Sequence, residues 1–325
     1  MTDATVPTPA PVPSGARSMG GGRGAGAGAG HSGPTVKSRD EQRLGWRLVA
    51  PAFLVMLAVT AYPVGRAIYL SLFRNRVTDP GGTEFVGLDN YKTILTDRLW
   101  WTDVGTTVII TVITVVVELI LGFALASVMH RIAFGRRTVR TAILVPYGIV
   151  TVVAAFAWLY AFSLDSGFVN SWFGLEDKAW FSGRASALFV IILSEIWKTT
   201  PFMSLLLLAG LAQVPEELQE AARVDGANWW QRLWKVTLPN MKPAIMVALL
   251  FRTLDAYRIF DSIFIMTNGA EGTESVSFLT YRQVIVRTEL GMGSAVSMLL
   301  FATVVLIAFV FVKLFGTDLS RVRGE

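Results

Sequence analysis

Long apolar stretches separated by short polar segments dominate the sequence from residue 48 onward. Six of these stretches are long enough for a helix to cross the hydrocarbon core of a bilayer, which takes about 20 apolar residues. The predicted spans cover residues 48–72, 104–129, 141–163, 187–211, 243–266 and 294–315. The pattern therefore predicts an all-α, polytopic membrane protein with six transmembrane helices.

Residues 1–40 have a different composition, rich in Gly, Ala, Pro and Ser. Such a segment offers too little apolar surface to offset the entropy cost of ordering it. We therefore expect a disordered tail over residues 1–40 and a transmembrane domain over residues 41–325.

Charged residues interrupt three of the predicted spans: Glu118 in the second, Glu195 and Lys198 in the fourth, and Arg252, Asp255, Arg258 and Asp261 in the fifth. A charge at the centre of a span costs roughly 2.5 to 3.5 kcal/mol, so these groups are expected to face protein or water. Glu118 is expected to be buried and paired, although a role as a proton relay stays open. Glu195 and Lys198 are three residues apart on a helix and can form an ion pair.

The four charges of the fifth span follow one another at intervals of three residues with alternating sign. They can form a ladder of ion pairs, or they can line a polar pathway for a solute. Aromatic side chains lie beside them, and a pocket that combines aromatic faces with a few polar groups suits a sugar. The candidate pathway residues are Asp255, Tyr257, Arg258, Phe260 and Asp261.

A polar segment, residues 212–242, separates the fourth and fifth spans. Pro215 is suited to the start of a short helix, and Glu216 and Glu217 would lie at the positive end of its dipole. Gly226 is suited to the end of this helix.

A second short helix is predicted directly afterwards, because Asn228 and Gln231 have the spacing of a capping box. It would carry Trp230 and Trp234 on one face and end at Pro239. Periodicity alone also fits an amphipathic helix that lies on the membrane surface.

The spacing of seven residues in this segment resembles the signature loop of the membrane subunits of bacterial ABC importers. These residues are Glu220, Ala221, Ala222, Gly226, Val236, Leu238 and Pro239, with Val236 in place of the commoner Ile. In that family the loop is a coupling helix that docks into a groove on a separate ATPase. By this resemblance the coupling residues are Glu220, Ala221, Ala222, Asp225, Gly226, Leu238 and Pro239.

Two further stretches resemble elements of sugar-importer permeases. The stretch Phe85–Tyr91 has the pattern Phe-x-Gly-Leu-x-Asn-Tyr that these permeases carry after the first span. The stretch Phe260–Thr273 resembles a second element, but Ala270 and Glu271 replace its usual Gly and Pro. The resemblance therefore does not determine the backbone conformation of that loop.

The resemblance implies a type I ABC importer permease fold and the permease subunit of an ATP-driven importer for a sugar, with a disaccharide such as trehalose expected. It implies a second, homologous permease, a dimer of ATPase subunits and an extracytoplasmic sugar-binding lipoprotein as partners. The chain itself is expected to hold no cofactor, because ATP and Mg²⁺ would be bound by the ATPase subunits.

Composition and charge agree with a membrane protein: 53% of the residues are hydrophobic and 16% are charged, and the formal net charge is +5. Basic loops facing the cytoplasm account for this charge without a nucleic-acid partner. The distribution of Lys and Arg predicts that both termini and residues 212–242 lie in the cytoplasm. The resemblance implies that the membrane is a bacterial plasma membrane. The absence of cysteine excludes disulfides and thiolate chemistry.

The sequence contains no Gly-rich phosphate loop ending in Lys-Ser/Thr and no His-Glu-x-x-His or Gly-x-Ser-x-Gly motif. We therefore expect a transport subunit and not an enzyme. Two alternatives stay open: a proton-driven secondary transporter that uses Glu118 or the charges of the fifth span, and a membrane-embedded enzyme acting on lipid or glycan.

Overall fold

The structure is a computed structural model, and it describes residues 36–132, 135–175 and 178–319. Its helices are α1 (Val36–Ser71), α2 (Asp89–Thr96), α3 (Arg98–Arg131), α4 (Arg136–Gly148), α5 (Thr151–Ala161), α6 (Phe168–Phe173), α7 (Arg184–Leu211), α8 (Glu216–Val224), α9 (Trp229–Arg232), α10 (Leu238–Ala256), α11 (Asp261–Met266), α12 (Val276–Tyr281) and α13 (Leu290–Leu319). Two strands, β1 (Phe73–Arg76) and β2 (Asp79–Phe85), form an antiparallel hairpin. Most of the predicted tail, residues 1–35, lies outside the described residues, and its disorder stays a prediction.

Four of the predicted spans are confirmed as helices that are long and apolar enough to cross a membrane. They lie at Leu44–Ser71, Arg98–Arg131, Arg184–Leu211 and Leu290–Lys313.

The third predicted span, residues 141–163, is not one straight helix. It consists of α4 and α5, which meet at an angle of 83° across a break of two residues, Ile149 and Val150. Pro146 lies in the last turn of α4. It has no N–H group to donate to the preceding turn, and its ring clashes with that turn, so the helix is interrupted near this residue. Counted as one span, this bent pair is the fifth apolar crossing in the described part of the chain.

The fifth predicted span, residues 243–266, is also interrupted, and the prediction of one continuous helix was wrong. Helix α10 ends at Ala256, and α11 begins only at Asp261. Helix α10 is not among the described helices that are long and apolar enough to count as spans.

The β hairpin was not predicted. The stretch Phe85–Tyr91 begins at its last residue, and two side chains of this stretch bond back to the chain at the end of α1. Asn90 Nδ2 donates to the carbonyl oxygens of Ser71 and Phe73, at 2.8 and 3.0 Å, and Tyr91 Oη donates to Ser71 Oγ at 2.7 Å. The Asn and Tyr of this element therefore tie the chain after the hairpin to the end of α1.

Close packing of α3 against α7 forms the centre of the helical part. Gly122 lies where a Cβ atom would approach Met203 Cγ to 2.8 Å, so only glycine fits this contact without a shift. Small residues allow helices to approach closely in a membrane. Around this contact Ala126, Met129 and Leu207 are buried together with Met241 of α10.

Candidate functional site

The segment between α7 and α10 has the predicted pair of short helices. Helix α8 begins after Pro215 with Glu216 and Glu217 in its first turn, and Asp225 caps its end. Gly226 follows with a φ of +78°, a left-handed conformation that favours glycine.

The predicted capping box of α9 is confirmed. Gln231 N donates to Asn228 Oδ1 at 2.9 Å, and Asn228 N donates to Gln231 Oε1 at 2.8 Å. Because both orphan donors are satisfied within the box, this short helix starts at a defined residue.

The prediction that Pro239 ends the second helix was wrong. A π-helical turn, Leu233–Thr237, connects α9 directly to α10, and Pro239 lies in the first turn of α10. Gln219 Nε2 of α8 donates to Thr237 Oγ1 at 2.9 Å, so the two short helices are tied to the start of α10.

The candidate coupling residues lie on an open surface. No residue of α8 or α9 is buried. The surface includes apolar side chains with large exposed fractions: 88% for Val224, 61% for Trp230 and 65% for Trp234. Large apolar side chains that are exposed outside the membrane spans suit a surface that another molecule covers. The assignment of the coupling residues stays a prediction.

A groove of about 300 Å³ lies between this segment and the end of α3. His130 and Arg131 line it from α3, and Glu220 and Arg223 line it from α8. Movement of α8 would therefore change contacts at the end of a membrane-spanning helix.

Of the possible ladder among the four charges of the fifth span, only the ion pair of Arg252 with Asp255 forms. Arg252 forms a bidentate ion pair with Glu118 of α3, with Nε–Oε2 at 2.5 Å and Nη2–Oε1 at 2.9 Å. Arg252 Nη1 also donates to Asp255 Oδ2 at 2.7 Å. Among the described residues no ion pair joins Arg258 to Asp255 or Asp261, because α10 has ended before Arg258.

The pair of Glu118 and Arg252 is confirmed as buried, since both residues are 1% exposed or less. Two buried charges in a span are tolerated when they pair with good geometry and when their remaining polar atoms are satisfied. Glu118 Oε1 also accepts from Thr199 Oγ1 at 2.6 Å. This carboxylate is held between α3, α7 and α10 and does not line the neighbouring cavity, which argues against a proton relay.

The possible ion pair of Glu195 with Lys198 is not formed. Glu195 Oε1 accepts from Ser262 Oγ of α11 at 2.5 Å, and Glu195 Oε2 lies 3.8 Å from Arg252 Nη2. Lys198 Nζ lies over the ring of Tyr147, 5.6 Å from its centroid.

A polar cavity of about 480 Å³ lies where the two helix breaks come together. Tyr147 and Thr151 line it from the break between α4 and α5, and residues 255–256 and 258–261 line it from the break between α10 and α11. Glu195 and Lys198 line it from α7. Irregular backbone at membrane depth is tolerated where it is buried in protein or lines a water-filled cavity, and broken helices of this kind form solute sites in transporters.

Four of the five predicted pathway residues line this cavity: Asp255, Arg258, Phe260 and Asp261. Tyr257 is 4% exposed and does not line the cavity.

Sequence reasoning missed Tyr147 and Thr151 as lining residues. The available signal was the pair Pro146 and Gly148, which interrupts an apolar stretch in the way that marks a broken helix.

The loop that follows α11 is held by hydrogen bonds of Thr273, although Ala270 and Glu271 replace the usual Gly and Pro. Thr273 Oγ1 lies 2.6 Å from the carbonyl oxygen of Ala270 and 2.7 Å from Thr267 Oγ1. Glu271 adopts a φ of +56°, the strained conformation that a glycine would adopt freely.

Glu274, directly after this loop, is 3% exposed and lies outside the membrane-spanning segments. Burial raises the pKa of its carboxyl group to about 7, and Arg282 and Arg287 partly oppose this effect. Arg282 Nη1 lies 2.7 Å from Glu274 Oε2.

Comparison with known sequences identifies a family over most of the helical part. A sequence profile of the family described as "Binding-protein-dependent transport system inner membrane component" matches residues 118–321. The chain is 54% identical over 276 residues to the Trehalose transport system permease protein SugA of Mycobacterium tuberculosis, which covers 85% of this chain and 90% of that protein. It is 37% identical over 278 residues to the Trehalose/maltose transport system permease protein MalF of Thermococcus litoralis, covering 84% and 94%.

Comparison with solved structures shows the fold. A chain from the crystal structure of a bacterial ABC transporter involved in the import of the acidic polysaccharide alginate aligns with a TM-score of 0.71 and 22% sequence identity. The alignment covers 89% of this chain and 99% of that chain. The predicted type I ABC importer permease architecture is thereby confirmed.

Proposed function

Because the chain belongs to the family of inner membrane components of binding-protein-dependent transport systems, we propose that it is one of two permease subunits of an ATP-driven importer for a disaccharide, with trehalose as the substrate. The relatives named for trehalose and for trehalose/maltose transport support this choice of substrate. The two permeases would each form half of the translocation pathway.

The observation that carries the proposal is the cavity at the two helix breaks. Its lining combines aromatic rings, Tyr147 and Phe260, with carboxylates, a lysine and two guanidinium groups. Such a lining can stack on a sugar ring and exchange hydrogen bonds with its hydroxyl groups. The lining residues carry acidic and basic groups together, which suits an uncharged solute.

The second part of the proposal concerns force transmission. The surface of α8 and α9 would dock on an ATPase subunit, with Glu220, Ala221, Ala222, Asp225 and Gly226 at the contact and Leu238 and Pro239 at the start of α10. Because α10 carries Arg252 and Asp255 at the cavity, a push on α8 would reach the solute site through one helix. ATP and Mg²⁺ would be bound by the ATPase, and this chain would rock between inward- and outward-facing states.

The remaining partners follow from the same proposal. A second, homologous permease would complete the pathway, and an extracytoplasmic sugar-binding lipoprotein would deliver the solute. Both termini and residues 212–242 would lie in the cytoplasm, where ATP is available.

Reconstitution of the assembled importer in proteoliposomes tests the proposal. We expect uptake of radiolabelled trehalose that requires both ATP inside the vesicles and the binding protein outside. Uptake that continues after ATP depletion and follows an imposed proton gradient would instead identify a secondary transporter. ATP-dependent uptake of another disaccharide without trehalose uptake would overturn only the choice of substrate.

A further inference from the structure

Glu195 lies in the middle of α7 and faces the cavity at the helix breaks. Its carboxylate contacts chain on both sides of the break between α10 and α11. Ser262, in the first turn of α11, donates to Oε1 at 2.5 Å, and Arg252, in the last two turns of α10, lies 3.8 Å from Oε2.

Glu195 is not needed as the counterion of Arg252. The guanidinium group already makes two hydrogen bonds to Glu118 and one to Asp255. A separation of 3.8 Å exceeds hydrogen-bond distance, so Glu195 contributes only a charge contact. Glu195 is therefore available as an acceptor for a donor other than Arg252, and in this structure that donor is Ser262.

The hydroxyl group of Ser262 needs Glu195 as its hydrogen-bond acceptor. The serine is 3% exposed, and its hydroxyl group donates to this carboxylate. A buried hydroxyl that loses its acceptor is destabilising, so a competing donor at Glu195 would favour a displacement of the first turn of α11. The break at residues 257–260 allows α11 to move without a shift of the whole of α10.

We infer that Glu195 accepts a hydrogen bond from a hydroxyl group of the transported solute, and that Ser262 occupies this acceptor when no solute is bound. The inference rests on the proposed function and identifies one contact and one moving element within it. Solute binding exchanges one hydroxyl donor for another, and the first turn of α11 is released from α7.

The test measures equilibrium binding of radiolabelled trehalose to the assembled importer in nanodiscs, without the binding protein, so that the Kd reports on the permease cavity alone. Ser262→Ala removes the internal competitor and is expected to lower the Kd about three- to tenfold. Glu195→Gln weakens the acceptor and is expected to raise the Kd about tenfold. In the Glu195→Gln background, Ser262→Ala is expected to have little further effect, because the two changes act on one hydrogen bond.

Ser194→Ala is the matched control. Ser194 is the neighbour of Glu195, is 5% exposed, and donates to the carbonyl oxygen of Ile191 within α7. Its removal also deletes a buried hydroxyl but leaves Glu195 unchanged, and the Kd is expected to stay at the wild-type value.

An unchanged or raised Kd for Ser262→Ala overturns the inference, as does an additive effect in the double variant. ATP-dependent trehalose uptake by the wild-type importer, measured in parallel, keeps the two claims apart. If uptake is normal and Ser262→Ala binds like wild type, the inference fails and the proposed function stands. If the wild-type importer transports no trehalose under any condition, the proposed substrate fails, and the inference fails with it.

Discussion

Arg252 shows how a single residue can organise several helices of a membrane protein. It lies near the end of α10, is 1% exposed, and pairs with Glu118, which is 134 positions earlier in the chain. Breaking a buried pair by removing one partner is expected to cost roughly 3 to 5 kcal/mol, because the other charge is left buried without a counterion. Removal of both charges avoids that penalty.

We therefore expect Arg252→Met to yield much less folded protein than wild type and the double variant Glu118→Gln with Arg252→Met to recover most of it. The measurement is the amount of monodisperse protein in detergent and its Tm. Arg74→Met is the control, because the ion pair of Arg74 with Glu84 is exposed and contributes little. Equal losses for the single and the double variant would show that the charges are not coupled.

Gly226 is the residue at which the coupling prediction is tested most directly. Its φ of +78° is strained for other residues, and no atom lies within 4 Å of a Cβ placed there. The side chain in Gly226→Trp would therefore meet no steric clash, although the backbone would be strained. It would place a large group on the surface proposed to meet the ATPase. We expect ATP-dependent uptake to fall at least tenfold while the protein stays in the membrane.

Gly174→Trp is the matched control for this change. Gly174 also has a left-handed φ, +64°, and a Cβ atom at this position would likewise meet no atom within 4 Å, but the residue lies in the loop after α6. Backbone strain is thus similar, and uptake is expected to stay close to wild type. Equal inhibition by both variants would remove the support for a docking surface at α8.

At the level of secondary-structure elements, the sequence predicts the spans well and their interruptions poorly. Hydrophobic length alone identified α1, α3, α7 and α13, because the bilayer sets that length. The capping box at Asn228 was also predictable, because it depends on neighbours three residues apart.

The interruptions depend on contacts between distant residues, which the sequence does not display. The intervals of three between Arg252, Asp255, Arg258 and Asp261 allowed a ladder on one helix, but Arg252 also pairs with Glu118 of α3 and the helix ends at Ala256. The contact of Ser262 with Glu195 could not be predicted for the same reason, since 67 residues separate them.

The loop after α11 supports a prediction about pH. In the unfolded chain Glu274 has the ordinary pKa of 4.5, and in the folded protein burial raises its pKa to about 7. The folded state therefore holds this proton more tightly, and the contribution of Glu274 to stability is fully present below pH 4.5 and is lost as the pH rises through 7. The contribution is on the order of 3 kcal/mol, because each pKa unit corresponds to about 1.4 kcal/mol.

We expect Glu274→Gln to flatten the decrease of Tm between pH 5 and pH 7 in detergent. Glu84→Gln is the control, because it removes an exposed carboxylate of the hairpin and is expected to keep the wild-type slope. A Glu274→Gln protein with the wild-type slope would show that other groups cause the pH dependence.

At the scale of the whole molecule, the proposal places α8 and α9 on the side of the membrane where ATP is available. The distribution of basic residues supports this orientation, because Lys and Arg near the ends of spans favour the cytoplasmic side. The loop between α5 and α6, which contains the exposed Asp165, would then lie outside the cell.

The absence of cysteine from the sequence allows a direct test of orientation, since a single introduced thiol gives the only labelling signal. Asp165→Cys and Glu217→Cys both place the thiol on an exposed side chain in a connecting segment. With a membrane-impermeant maleimide on intact cells, we expect labelling at position 165 at once and at position 217 only after permeabilisation. The reverse pattern would place α8 outside the cell, where no ATPase could reach it, and would remove the physical basis of the coupling proposal. Because both variants lie outside the cavity and the buried ion pairs, retained uptake by each shows that the labelled protein has its working topology.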